Sequence, residues 1–424
     1  LYEQLRQVEP AITLQMDLLS GARDDLERRK WTIRLAHLYS SLAHDVEHAE
    51  LTLQQARKTW PHDAEVLRAL CQLYQNSNQQ AALQLLLDRA SREARNQLTQ
   101  GMLELQPFDT LLTIAELNGK QAAAEIIAAA RAVLQGRSQP APGLGPRAMA
   151  HRVEKFLLPD AVPPALRALL HEVGSALDRA VAQDLPQLTA TPLYTVDAQL
   201  AAECNQVAQS VGVESIEFFV SPELGVEAVA HNSSPPQLVF GQKLLALADR
   251  PLLFFFLYRG LRAVSAHCCA LLRGSGADAQ LRLWALLCCF APDWQPPGMA
   301  RDLIQPLADK ISAQLPSPLP HEATLLASEV IHSFASRATQ LNALLERWVM
   351  RTALLASGDP WVALRAVAAQ VTGDATLPGQ GVPDGGVERA RFIANAHLAR
   401  DLLLFCTTDE CGAAREQGRT ANVP

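Results

Sequence analysis

Aromatic residues are scarce in this chain, only 5% of its 424 positions, while Leu and Ala dominate. β-Sandwiches and barrels draw on aromatic and β-branched side chains, so the scarcity argues for helices. No apolar run approaches the ~20 residues that a membrane-crossing helix needs; Leu252–Leu257 is far too short. None of the eight cysteines forms a C-x-x-C pair, which argues against zinc ribbons and thioredoxin-like redox motifs. Cys268-Cys269 and Cys288-Cys289 instead lie inside apolar helical runs, as buried thiols of a reducing, cytoplasmic compartment do. Basic charge forms no stripe: 37 Lys and Arg against 44 Asp and Glu leave a net −7, so nucleic acid is not an expected partner. There is no G-x-S-x-G nucleophile elbow. Gly143-Leu144-Gly145-Pro146 lacks the third glycine, preceding strand and lysine of a phosphate loop.

What the chain does have is apolar mass: 49% hydrophobic residues, in a length that suits two or three domains. Residues 1–135 read as helical repeats. Trp31 to Tyr39 begins one helix, Ala49-x-x-x-Leu53-x-x-Ala56 forms a second, and Trp60-Pro61-His62-Asp63 closes the unit. A second unit runs from Ala64 through Tyr74, turns at Asn76-Ser77-Asn78 and returns over Ala81–Ala90. A looser third has Phe108, the Asn118-Gly119 turn and the helix Ala122–Leu134, while Leu1–Leu19 reads as the remnant of an earlier one. The pattern of one large residue, small alanines and a closing proline resembles the tetratricopeptide repeat. No such unit buries its own face, so at least three stack together. The chain opens at Leu1 rather than Met, and the array is expected to extend further upstream.

Residues 136–150 hold the Pro/Gly/Ser stretch Gly136–Gly145 and read as a linker that no helix crosses. Beyond it, 151–410 reads as a mainly α domain with a small sheet of about three strands at Glu214–Val220, Val226–His231 and Gln237–Phe240. Single helices are expected over Pro251–Arg273, Pro320–Ser357 and Val387–Phe405, a surface loop over Thr372–Gly386, and a flexible tail over 411–424. The fold class is therefore mainly α, an N-terminal α-solenoid followed by an α+β domain.

The Pro251–Arg273 run carries a polar insertion, Tyr258-Arg259-Gly260-Leu261-Arg262. Charge in so apolar a segment needs a partner, because an unpaired buried ion costs several kcal/mol. The order of a β-segment ending in Phe240-Gly241, an amphipathic Lys243–Leu247 turn and this helix resembles the HtpX-like and CAAX-prenyl-protease-like zinc metallopeptidases, the minigluzincins. The whole layout, repeats included, resembles that of large deltaproteobacterial repeat proteins. The family's helix bears H-E-x-x-H, two zinc-binding histidines flanking a glutamate base. The resemblance sets those five positions on Arg259, Gly260, Leu261, Arg262 and Ala263, so neither histidine nor the base is kept. Its E-x-x-x-D segment falls on Glu346–Met350, where Glu346 is kept and Met350 replaces the aspartate. The resemblance thus implies a peptidase fold without its chemistry, with no cofactor and no metal. It further suggests that the guanidinium of Arg259 fills the vacated metal position and pairs with Glu346.

Other histidines offer less. His44 and His48 have i, i+4 spacing but no third ligand; a solvated helix face explains them. His171-Glu172 begins like the zincin motif and ends in Ser175. His321-Glu322 suits a helix start, and His267 beside Cys268-Cys269 points away from both thiols. Together these features lead us to expect an inactive pseudo-peptidase, a protein-interaction module working within a larger assembly. Peptides or other proteins would engage the repeat groove, or add a strand to an edge at Val226, Ala228, Ala230 and Asn232. The alternative is an active peptidase, metal-dependent or using residues the pattern does not reveal.

Overall fold

A computed structural model of the chain describes residues 7–100, 103–181, 188–372, 382–383 and 386–420. It is mainly α-helical with one small sheet, and separates into two compact units, Leu1–Leu134 and Gln135–Pro424.

Among the described residues the first unit holds seven helices: α1 (Val8–Ser20), α2 (Asp25–Ser41), α3 (Val46–Thr59), α4 (Ala64–Asn76), α5 (Gln80–Gln100), α6 (Leu105–Leu117) and α7 (Gln121–Leu134). Three aspartates start them: Asp24, Asp45 and Asp63 each accept a hydrogen bond from a free N–H of the first turn of α2, α3 and α4. The turns at Asn78 and Gly119 take positive φ, as the sequence pattern requires. Small residues let successive helices close together, so Ala36, Ala49, Ala90, Leu53, Leu70 and Leu87 share one core.

The second unit carries α8 (His151–Glu154), α9 (Pro164–Ala180), α10 (Leu193–Val196), α11 (Ala198–Ser210), α12 (Gln242–Ala246), α13 (Arg250–Ser265), α14 (Cys269–Leu272) and α15 (Gly276–Phe290). It continues with α16 (Arg301–Ser312), α17 (His321–Ser333), α18 (Leu341–Ser357), α19 (Pro360–Thr372), α20 (Gly386–Asn395), α21 (His397–Phe405) and α22 (Asp409–Thr420). Among the described residues its sheet has four strands, β1 (Thr191–Pro192), β2 (Glu217–Ser221), β3 (Ala228–His231) and β4 (Gln237–Gly241), in the order β1-β2-β4-β3. β2 and β4 run parallel, while β1 and β3 lie antiparallel at the two ends. Helix α13 packs on β3, β4, α18 and α19, so the polar insertion of the apolar run faces the sheet and two other helices.

Several boundaries differ from the sequence reading. The run Pro251–Arg273 is not one helix: α13 stops at Ser265, His267 takes φ of 50°, and α14 restarts at Cys269. The 3₁₀ turn Ala335–Gln340 divides Pro320–Ser357, and Ala396 divides Val387–Phe405. A two-residue strand, β1, adds to the three expected. The 136–150 segment is no free linker. Ala141 and Leu144 are buried and donate backbone hydrogen bonds to the Gly358 and Leu355 carbonyls at the end of α18, and Gly145–Met149 forms a 3₁₀ turn. Nor is 411–424 a tail as far as Thr420. Its Cys411, Ala414 and Gly418, small residues three and four apart, form the buried face of α22. Most of the expected Thr372–Gly386 loop, the chain end 421–424 and residues 1–6 of the expected repeat remnant lie outside the described residues. Among the described residues no helix is long and apolar enough to cross a membrane.

Candidate functional site

Arg259 stands in the middle of α13, one face toward α18 and the other toward β3. Its Nε donates to Glu346 Oε1 at 3.0 Å and its Nη2 donates to Glu346 Oε2 at 2.9 Å, a two-pronged ion pair. Its Nη1 donates to the Ala228 carbonyl at 3.2 Å. Gln370 of α19 adds a third donor to Glu346, Nε2 to Oε1 at 3.2 Å. Both charged side chains are largely buried, at 14% and 16% exposure. Burial works to lower the Arg259 pKa, but the Glu346 carboxylate outweighs it and the net shift is upward. The guanidinium is therefore a fixed cation that ties α13 to β3 and α18, while the carboxylate it holds is fully engaged.

The neighbouring motif positions are packing positions. Gly260 lies against Leu238 of β4, where an added Cβ would come within 2.4 Å of that side chain. Ala263 and Met350 are buried at 3% and 0% exposure. Arg262, one turn after Tyr258, is also buried; its guanidinium lies 5.6 Å from the Trp348 ring centre and burial lowers its pKa. Among the described residues, no group of three His, Cys, Asp or Glu side chains is placed to hold a metal ion.

The expected strand-addition edge is not open. Val226, Ala228, Ala230 and Asn232 are 5%, 1%, 8% and 6% exposed. β3 is an end strand of the sheet, but α13 and α14 pack on it. Arg259 takes the Ala228 carbonyl, and Asn232 Nδ2 meets His267 Nδ1 at 2.6 Å.

The remaining histidines do not converge. His44 precedes α3 with φ of 55°, so it shares no helical face with His48, which instead meets Asp45 at 2.7 Å. His171 and His267 bring their rings to 6.0 Å, and His321 opens α17. The cysteines are free and buried except the half-buried Cys289.

Sequence reasoning missed a second polar cluster beside β3. Asp178 of α9 is buried and accepts from the Ala270 N–H. Burial pushes its carboxyl up to about 6. Arg273 donates Nη1 to His231 Nδ1 at 2.7 Å and Nη2 to the Val181 carbonyl at 2.8 Å. Burial, then Arg273, holds the His231 imidazole down to about 4, so it accepts that hydrogen bond as a neutral ring. The signal was in the sequence: Asp178 follows Gly174 by four and Leu170 by eight, placing a carboxylate on the apolar face of its helix.

The chain was compared with protein-family models, with curated proteins and with solved structures, and none of them matches it.

Proposed function

We propose that this protein is a non-catalytic interaction module, a tetratricopeptide-like helical array joined to a peptidase-like domain whose metal position has become a structural ion pair. The observation that carries this reading is the Arg259–Glu346 pair. A hydrolytic metal centre needs a carboxylate free to coordinate and a base to activate water. Glu346 spends both oxygens on Arg259 and Gln370, and the base position is Gly260, packed on Leu238. Binding, rather than cleavage, is what such an arrangement leaves to the fold.

The first unit supports a binding role on its own. Between α3, α4 and α5 lies a groove of about 890 Å³, lined by Leu70, Tyr74, Leu85 and Leu86 with Arg57 and Glu93 at its sides. Leu85 is 66% exposed there and offers apolar surface. A peptide or helix from another protein, one subunit of a larger assembly in the cytoplasm, is the kind of ligand such a groove accepts.

The test is zinc analysis of the purified protein together with casein hydrolysis in the presence and absence of a chelator. We expect no stoichiometric zinc and no chelator-sensitive cleavage. Stoichiometric zinc with chelator-sensitive cleavage would overturn the reading in favour of an active peptidase.

A further inference from the structure

A cavity of about 430 Å³ lies against the outer side of β3, lined among others by Leu224, Glu227, Ala230, Arg259, Leu272 and Arg273. The pairing of β3 with β4 fixes which of its backbone groups face that cavity. Gly241 N–H bonds the Glu227 carbonyl, so Glu227 belongs to a bonded pair and, by alternation, so do Val229 and His231. Ala228 and Ala230 therefore turn their N–H and C=O outward. Arg259 already occupies the Ala228 carbonyl. Past Ala230 the strand is closed off by Asn232 and His267. A strand running through is excluded at both ends, whereas the end of a chain is not.

The charge around the cavity distinguishes which end. Arg259 is neutralised by Glu346. Arg273 is not: its Nη1 and Nη2 go to an imidazole and a peptide carbonyl, both neutral. Among the described residues it has no carboxylate within ion-pair distance; Asp178 acts on it only from further away. Arg282, whose Nη1 donates to the Ala270 and Arg273 carbonyls, adds a positive charge at the same corner that the Asp278 carboxylate offsets. His231 and Val181 hold the Arg273 guanidinium in place, so little rotamer freedom is lost when it meets a ligand. Among the described residues Glu227 is the one acid on the lining, and its field falls on Arg259.

We propose that this cavity is a binding site for the C-terminal end of an extended peptide, the terminal carboxylate on Arg273 and the last peptide group paired with the outward N–H and C=O of Ala230. Leu224, Val229 and Leu272 line it with apolar surface for a terminal aliphatic side chain. The inference rests on the non-catalytic reading above, and names the ligand class that the second unit takes.

The test uses the full chain and a fluorescein-labelled hexapeptide of alternating alanine and valine, made with a free C-terminal carboxylate and as the C-terminal amide. Binding is read by fluorescence anisotropy and peptide integrity by mass spectrometry. The free-acid peptide is expected to bind at least ten-fold tighter than the amide. Arg273→Gln should abolish the difference, and Glu227→Gln, which removes a like charge, should tighten the free acid several-fold while leaving the amide unchanged. Helical content by circular dichroism identifies a variant that has lost its fold, in which case Glu227→Gln alone decides. Equal binding of acid and amide, or binding of neither, overturns the carboxylate site. Chelator-sensitive cleavage of the peptide overturns the non-catalytic reading instead.

Discussion

Two buried titratable residues in the second unit act on stability with opposite sign. The Asp178 carboxyl is raised from an ordinary 3.8 to about 6 in the fold. Between those values the folded chain keeps a proton that the unfolded chain releases, so Asp178 makes stability fall as pH rises through that window. The His231 imidazole is depressed from 6.5 to about 4. There the unfolded chain holds the extra proton, so the stability His231 contributes is complete above 6.5 and is lost as pH falls toward 4. Each slope is worth at most ~1.4 kcal/mol per pH unit, and over pH 4–6 the two largely cancel. Asp178→Asn should therefore steepen the gain in stability from pH 4 to 6 relative to the parent chain, and His231→Gln should reverse it. Urea unfolding at four or five pH values checks both. Two variants with the same pH profile as the parent would show that neither group titrates as its burial requires.

At the scale of elements, what was legible in the sequence was whatever depends on local chemistry. The Asn76-Ser77-Asn78 and Asn118-Gly119 turns and the β-rich segments act over three or four residues, and turns and strands form at or within a few residues of where the pattern set them. The Arg259–Glu346 contact was expected only from the register that the minigluzincin resemblance sets, and the two side chains do pair. What was not legible depends on distant neighbours. α22 is polar in composition and becomes a helix against the rest of its unit because Cys411, Ala414 and Gly418 align on one side. The Ala141–Leu144 segment reads as a linker and is held by the end of α18. Strand β3 reads as an open edge, but the two helices on it come from residues twenty to forty positions later. Gly358 joins two of these features: it caps α18 at φ of 69°, and an added Cβ would lie 2.3 Å from the Ala141 carbonyl. Gly358→Ala should cost about 2–4 kcal/mol, combining left-handed strain with that clash. Gly119→Ala, at φ of 65° with nothing within 4 Å, should cost only about 1 kcal/mol. Equal losses of melting temperature for the two would deny the close approach.

The molecule as a whole is two units with different means of cohesion. The helical array of the first is held by a repeating apolar seam of Leu and Ala. The second is built around the place where α13, β3, α18 and α19 meet, and Arg259 and Glu346 are the groups that join all four. The ion pair joins these elements through hydrogen bonds. The central claim is that this pair is structural, and a double-mutant cycle on the full chain with Arg259→Met, Glu346→Leu and the combination tests it most directly. Each single change leaves a buried ion without its partner and should lower unfolding stability by about 3 kcal/mol. The combination should lose far less than the sum of the two, giving a coupling of about 2 kcal/mol or more. Additive losses, with a coupling under about 0.5 kcal/mol, would contradict the claim.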